Sequence, residues 1–178
     1  MQGTLSDSFE FRGINFRDKF HMKVVKTDVI LPPKRERKIA IPGRHGRYDY
    51  GAENWDERIV RLECDITQKL SRDEVREIAY ILSKKGRLYL WDEPDKYYVA
   101  EIYNGGEIFD YPKQNIRNFT LEFVCEPFAY REAKVFFFKG SPRIEIDYNG
   151  TVAAPCRIEI EAVKDTHLIL IGQTKRRK

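Results

Sequence analysis

Cysteine is scarce in this sequence. Three residues, Cys64, Cys125 and Cys156, are spread over 178 positions. The count is odd and no Cys-x-x-Cys spacing occurs, so the chain spells out neither a disulfide framework nor a zinc ribbon. Buried free thiols in a reducing compartment are expected instead. Histidine is equally rare, and His21, His45 and His167 lie too far apart in sequence to suggest a metal site. Long apolar runs are also missing. The longest, such as Val135 to Phe138, fall far short of the about 20 residues a membrane helix needs. The opening MQGTLSDSFEF has neither the basic nor the apolar segment of a signal peptide. Charge of one sign is not in large excess. The 32 basic residues nearly cancel 28 acidic ones, leaving a net charge of +4, which does not call for a nucleic-acid partner. Nucleophile-elbow, zinc-protease, Walker A and dinucleotide signatures are all absent. No catalytic residue, cofactor or metal ligand is assigned, and no enzymatic activity is expected.

What the chain does have is aromatic and β-branched sequence in short alternating runs. There are 11 Phe and 10 Tyr, and 42% of residues are hydrophobic, ample for a folded core. In IVRLECDI, Val60, Leu62, Cys64 and Ile66 alternate with Arg61, Glu63 and Asp65. That period of two marks a strand with one wet face. NFTLEFVC repeats it with Phe119, Leu121, Phe123 and Cys125, and Pro127 stops the strand because it has no N–H to donate. FHMKVV, RIEIDY, CRIEIEA and HLILIG are further strand candidates. RLYLW and YYVAEIY flank Asp92-Glu93-Pro94-Asp95, a turn sequence, and predict a β-hairpin.

One helix stands out in LSRDEVREIAYILSKKG. Ser71 is placed as N-cap and Glu74 completes a capping box, with Leu70 and Val75 set for a hydrophobic staple. Val75, Ile78, Ala79 and Leu82 form the expected buried stripe. Asp73 and Glu74 sit at the positive end of the dipole, Lys84 and Lys85 at the negative end, and Gly86 is expected to close the helix. A capped helix among strands predicts a mainly β, α+β domain. Near Gly140 the texture shifts to Gly, Pro and Asn-Gly turn signals around short alternating segments, so a boundary is placed there, giving domains 1–139 and 140–178. RIEI occurs twice, at 143 and 157, and its acids read as the wet faces of strands. The closing Lys175-Arg176-Arg177-Lys178 reads as a solvated tail.

The stretch IPGRHGRYDYG, residues 41–51, is the chain's most concentrated cluster of glycine, arginine and tyrosine. Gly43 and Gly46 offer two positions for positive φ. A phosphate cradle normally opens a helix, whereas this segment leads toward the strand at Ile59. A long arm or loop that contacts a partner is the reading preferred, with Arg44, His45, Arg47 and Tyr48 as interface residues. Tyr97 and Tyr98 join them as interface candidates; with Tyr103 they also suit stacking, although cross-strand packing is the commoner use of such a group.

A set of segments then falls in one order: FEFRGINFRDKF, ILP, IPGRHGRYDYG, RIVRLECDI, the capped helix, RLYLWDEPDKYYVAEI, FTLEFVCEPFAY and NGTVAAPCRIEI. This order resembles the distal tail protein family of siphophages and prophages, the siphovirus tail component (Dit). The resemblance implies a β-sandwich-like N-terminal domain with one helix and a projecting hairpin. It also implies a structural role in the virion, as a homo-oligomer in a hexameric ring at the tail tip. One face of such a ring meets the tail tube protein and the other the tail-associated hub protein. In the family a galectin-like β-sandwich usually follows the region resembling NGTVAAP. No membrane partner is expected and nucleic acid is not favoured. The main alternative is a nucleic-acid-binding β-protein using the basic 34–47 segment and the C-terminal tail; a carbohydrate-binding module is a weaker third.

Overall fold

The computed structural model describes residues 7–50, 54–103, 117–139, 144–161 and 171–172. The chain divides into two compact units, Met1–Lys134 and Val135–Lys178. In the first, the elements in chain order are β1 (Phe9–Phe11), β2 (Ile14–Asn15), α1 (Phe16–Phe20), β3 (Met22–Val29), β4 (Lys38–Ala40), β5 (Arg47–Asp49), β6 (Arg58–Ile66), α2 (Arg72–Leu82), β7 (Gly86–Leu90), β8 (Tyr97–Glu101) and β9 (Arg117–Cys125).

Seven of these strands form one antiparallel sheet in the order β2-β1-β7-β8-β9-β6-β3, and β4 and β5 form a separate two-stranded ribbon. The longest pairing in the sheet is that of β6 with β9, unbroken from Arg58↔Cys125 to Ile66↔Arg117. The alternation read from the sequence sets which way each side chain points. Val60, Leu62, Cys64 and Ile66 turn inward with Leu121, Phe123 and Cys125, while Arg61 and Glu122 pair on the outer face at 2.8 Å. The sheet curls, so that the Val24 N–H on β3 donates to the Asp7 carbonyl beside β1 at 2.9 Å. The edge strand β3 is thereby tied to the chain just before β1. A bulge between Val24 and Lys26 turns Val25 outward. The mainly β reading holds, and the sandwich-like arrangement takes the form of one sheet wrapped around its own core.

That core is aromatic at one end. Phe9 stacks on Phe16 at 4.4 Å, and Phe123 meets Phe9 and Phe11 edge-on or tilted at 6.0 and 5.3 Å. Each ring pair adds about 0.5–1.5 kcal/mol beyond area burial. Phe16 and Phe20 lie on α1, a five-residue helix that the sequence reading did not foresee, because one turn is too short to show a 3.6-residue period. Its signal was Asn15. The Asn15 side chain accepts from the Arg17 and Asp18 N–H groups, and buried Ser8 donates to it at 3.0 Å.

The predicted helix is α2, with Ser71 as N-cap and the capping box complete. Ser71 N–H donates to the Glu74 carboxylate at 2.7 Å, and Glu74 N–H donates back to the Ser71 hydroxyl at 3.2 Å. Two details differ from expectation. Ala79 is exposed and Ile81 takes its place beside Ile78 and Leu82 on the buried face. The helix ends at Ser83 in an ordinary right-handed conformation, and Gly86 opens β7 instead of capping. Gly86 is needed there for room, since a Cβ at this position would come within 2.2 Å of the Arg12 side chain.

The β-hairpin of β7 and β8 forms as predicted, from Gly86↔Ala100 to Tyr89↔Tyr97. RIEIDY and CRIEIEA do not form strands over their described residues. Alternation states only that a segment is ready to pair; a strand also needs a neighbour to take its N–H and C=O groups, and no strand pairing involves these segments among the described residues. HLILIG lies largely outside the described residues.

All three thiols are free; Cys64 and Cys125 are buried, while Cys156 is exposed, unlike the buried state expected for it. Burial pushes the Cys64 and Cys125 thiols up to about 12. A thiol reagent at neutral pH should therefore titrate Cys156 alone in the folded protein and all three after denaturation; labelling of Cys64 or Cys125 without unfolding would contradict the core placement. In denaturant melts, Ser71→Ala should cost about 0.5–2 kcal/mol and Ile78→Ala roughly 2–5 kcal/mol. Hydrogen bonds from Ser71 hold the Glu74 carboxyl below its usual range. The Ser71→Ala deficit should therefore be full at neutral pH and shrink as pH falls below the ordinary glutamate range.

Candidate functional site

The segment between β3 and β6 is an arm, not a loop. Asp56 N–H donates to the Pro33 carbonyl at 2.9 Å, Arg35 N–H to Asn54 at 2.8 Å and Tyr50 N–H to Arg37 at 2.9 Å. Beyond these, Lys38 pairs with Asp49, Ile39 with Tyr48 and Ala40 with Arg47. Pro33 to Ala40 reaches roughly 25 Å at the usual strand rise. The tip bends where the sequence allows it: Gly43 and Gly46 have φ of +82° and +83°, and Arg44 N–H closes onto the Ile41 carbonyl at 3.2 Å. Both glycines thus supply the positive φ expected of them. The hairpin was legible in hindsight. Ile39 and Ile41 alternate before the Pro-Gly turn, and Tyr48 and Tyr50 alternate after it.

Strand alternation divides the arm into two faces. One carries Ile39 (54% exposed), Ile41 (38%), Tyr48 (42%) and Tyr50 (61%), an apolar strip in the open. Arg35, Arg37, Tyr50 and Asn54 line a cleft of about 160 Å³ lower on the arm. The other face carries Lys38, Ala40, Arg47 and Asp49. Tyr48 meets Tyr50 edge-on at 4.7 Å, the Arg44 guanidinium lies 5.2 Å from the Tyr48 ring, and Lys34 lies over Trp55 at 5.5 Å. Arg35 pairs with Asp56 at 2.6 Å and Lys38 with Glu36 at 2.9 Å. From residue 33 to 50 six cations face two acids, a net +4 that equals the charge of the whole chain.

An isolated two-stranded ribbon is marginal in water. Local cation–π contacts of about 0.5–1 kcal/mol each do not replace a core, and none of the arm's apolar side chains is buried among the described residues.

Of the other interface candidates, His45 is exposed at the arm tip. Tyr97 and Tyr98 lie on β8, and no hydrogen bond, ion pair or ring contact joins them to the arm among the described residues. Tyr98 is 4% exposed and packs in the core; its hydroxyl lies 3.4 Å from Arg58 and 3.5 Å from Glu93. Its ring therefore has no face to offer a partner. Tyr97 exchanges two backbone hydrogen bonds of 2.8 Å with Tyr130, and its ring sits among Tyr89, Tyr130 and the Arg87 guanidinium, 4.5 Å away. This is the cross-strand packing role. Among the described residues no group of three His, Cys, Asp or Glu is placed to hold a metal, and no helix is long and apolar enough to cross a membrane.

The molecule is thus a mainly β domain that carries an exposed two-stranded ribbon. The chain belongs to the family of phage tail protein RIFT-related domains, whose model matches residues 19–125. The likeness to siphophage distal tail proteins read from the sequence is borne out, and with it a structural role in a phage tail. Among solved structures, the Dit protein (gp 19.1) of phage SPP1, described as a paradigm of the hub adsorption apparatus in phages infecting Gram-positive hosts, is 17% identical with a TM-score of 0.54. The match covers 70% of this chain and 51% of that one, so the chain spans about half the length of that structure. Among curated proteins, the transcriptional regulator MraZ of Heliobacterium modesticaldum is 26% identical over 103 residues, covering 54% of this chain and 72% of the regulator.

Because no residue of the arm belongs to the described core, replacing residues 34–55 with a short turn should leave the thermal midpoint within a few degrees of the parent. Loss of cooperative melting in that variant would show that the arm is part of the fold and not an appendage.

Proposed function

We propose that this protein forms a closed ring, six-fold as in the family it resembles, at the distal end of the phage tail, with the tail tube protein on one face and the hub protein on the other. The observation that carries the reading is the arm, an amphipathic ribbon whose apolar strip of Ile39, Ile41, Tyr48 and Tyr50 is exposed among the described residues. A ring requires a heterologous contact, in which one patch meets a different patch on the next copy. A projecting ribbon supplies one such patch. Arg44, His45, Arg47 and Tyr48 at its tip are assigned to that contact. The N-terminal domain, residues 1–139, carries ring formation, and residues 140–178 are not required for it. The role is structural, not enzymatic.

A second reading follows from the similarity to a transcriptional regulator together with the concentration of positive charge on the arm. In it the arm tip holds nucleic acid. Phosphate-dominated binding has a steep salt dependence, and that separates the two.

Light scattering after size exclusion should show a single large species whose mass is a fixed multiple of the 21.1 kDa chain, with rings on negative-stain grids. The Arg44→Ala/Arg47→Ala variant should lose it. A strict monomer at every concentration contradicts the ring. Micromolar DNA binding at physiological salt that collapses in the double variant would favour the second reading.

A further inference from the structure

The cleft low on the arm is cationic and lies beside the apolar strip, and together they specify the chemistry of what docks there. Arg35, Arg37, the Tyr50 side chain and Asn54 line it. Arg35 is already neutralised by Asp56. Arg37 has no ion-pair partner among the described residues, so its guanidinium is the one that awaits an anion. One strand step further out, about 7 Å away, Ile39 and Tyr48 form the nearest apolar pair. The matching ligand is therefore a carboxylate next to a large apolar side chain on a protruding element.

One turn of the same chain meets that description. At the end of the β7–β8 hairpin, Trp91 is 44% exposed and is followed by exposed Asp92. Glu93 and Asp95 in this turn are already paired, with Lys96 and Arg131. Asp92 has no ion-pair partner among the described residues. The turn thus presents one carboxylate without an ion-pair partner beside one exposed indole, and the cleft presents one guanidinium without an ion-pair partner, Arg37, beside the exposed Ile39–Tyr48 pair.

We infer that the Trp91–Asp92 turn of one copy docks on the arm of the next, with Asp92 in the Arg37 cleft and Trp91 against Tyr48 and Ile39. This rests on the ring reading and names the two patches of its heterologous contact. A bidentate guanidinium–carboxylate pair supplies direction and register, and the indole supplies buried area.

The test is a charge exchange on the full chain, read by light scattering across a concentration series. Arg37→Glu and Asp92→Arg should each raise the concentration needed for half-assembly at least tenfold. The double variant should recover assembly. So should an equimolar mixture of the two single variants, because in an alternating ring every contact is then either doubly reversed or native. Trp91→Ala should weaken assembly without changing its response to salt. If the wild type assembles and Arg37→Glu assembles equally well, or if neither the double variant nor the mixture recovers, the docking assignment is overturned and the ring stands. If the wild type is a monomer throughout, both fall.

Discussion

The pairing of β6 with β9 is the constraint on which the rest of this molecule depends. Two nine-residue strands pair in register along their whole length, and a slip of one residue would turn Val60, Leu62, Cys64 and Ile66 out to water. Holding that register fixes where the Phe123 ring lies, and Phe123 is what Phe9 and Phe11 pack against. Those rings hold β1, β1 holds β7, and the curl of the sheet brings Asp7 to Val24. The arm leaves this body between β3 and β6, rooted on both sides in paired strands: Ile30 N–H still reaches the Ile59 carbonyl at 3.1 Å just before the arm begins. A ribbon without a core of its own is thereby held out from a body that has one.

This division explains how a marginal element persists. The body buries aromatic and aliphatic side chains at roughly 25 cal/mol per Å² of apolar area and needs nothing from the arm. The arm keeps its hydrophobic strip exposed at a cost in solubility and offsets part of that cost with charge. Its net +4 repels other arms and biases it toward a partner surface of opposite sign.

The sequence reveals these layers unequally. Strands β6 through β9 and helix α2 were legible because their periodicities are long and their ends carry specific chemistry, the Ser71–Glu74 box above all. Helix α1 was not, since five residues cannot display a helical period. The Ala79 and Gly86 assignments failed because tertiary packing chose the helix face and the helix stop. RIEIDY and CRIEIEA show the opposite failure, a pattern with no neighbour to complete it. For the site, Arg44 and Tyr48 were legible through the Gly-rich turn, while Ile39 and Tyr50 were not, because strands of three residues on each side of the turn are too short to display a clear period of two. Tyr98 illustrates what a sequence cannot display: adjacent tyrosines on a strand face opposite ways, and only burial says which one is inside.

The central claim is that another copy of the chain covers the apolar face of the arm. Amide hydrogen exchange measured as a function of protein concentration addresses it at the residues concerned. Exchange at Ile39, Ile41, Tyr48 and Tyr50 should be fast in dilute protein and slow markedly as concentration rises, while the amides of β6 and β9 stay equally protected throughout. Arm amides that exchange at the same rate at every concentration would contradict the account.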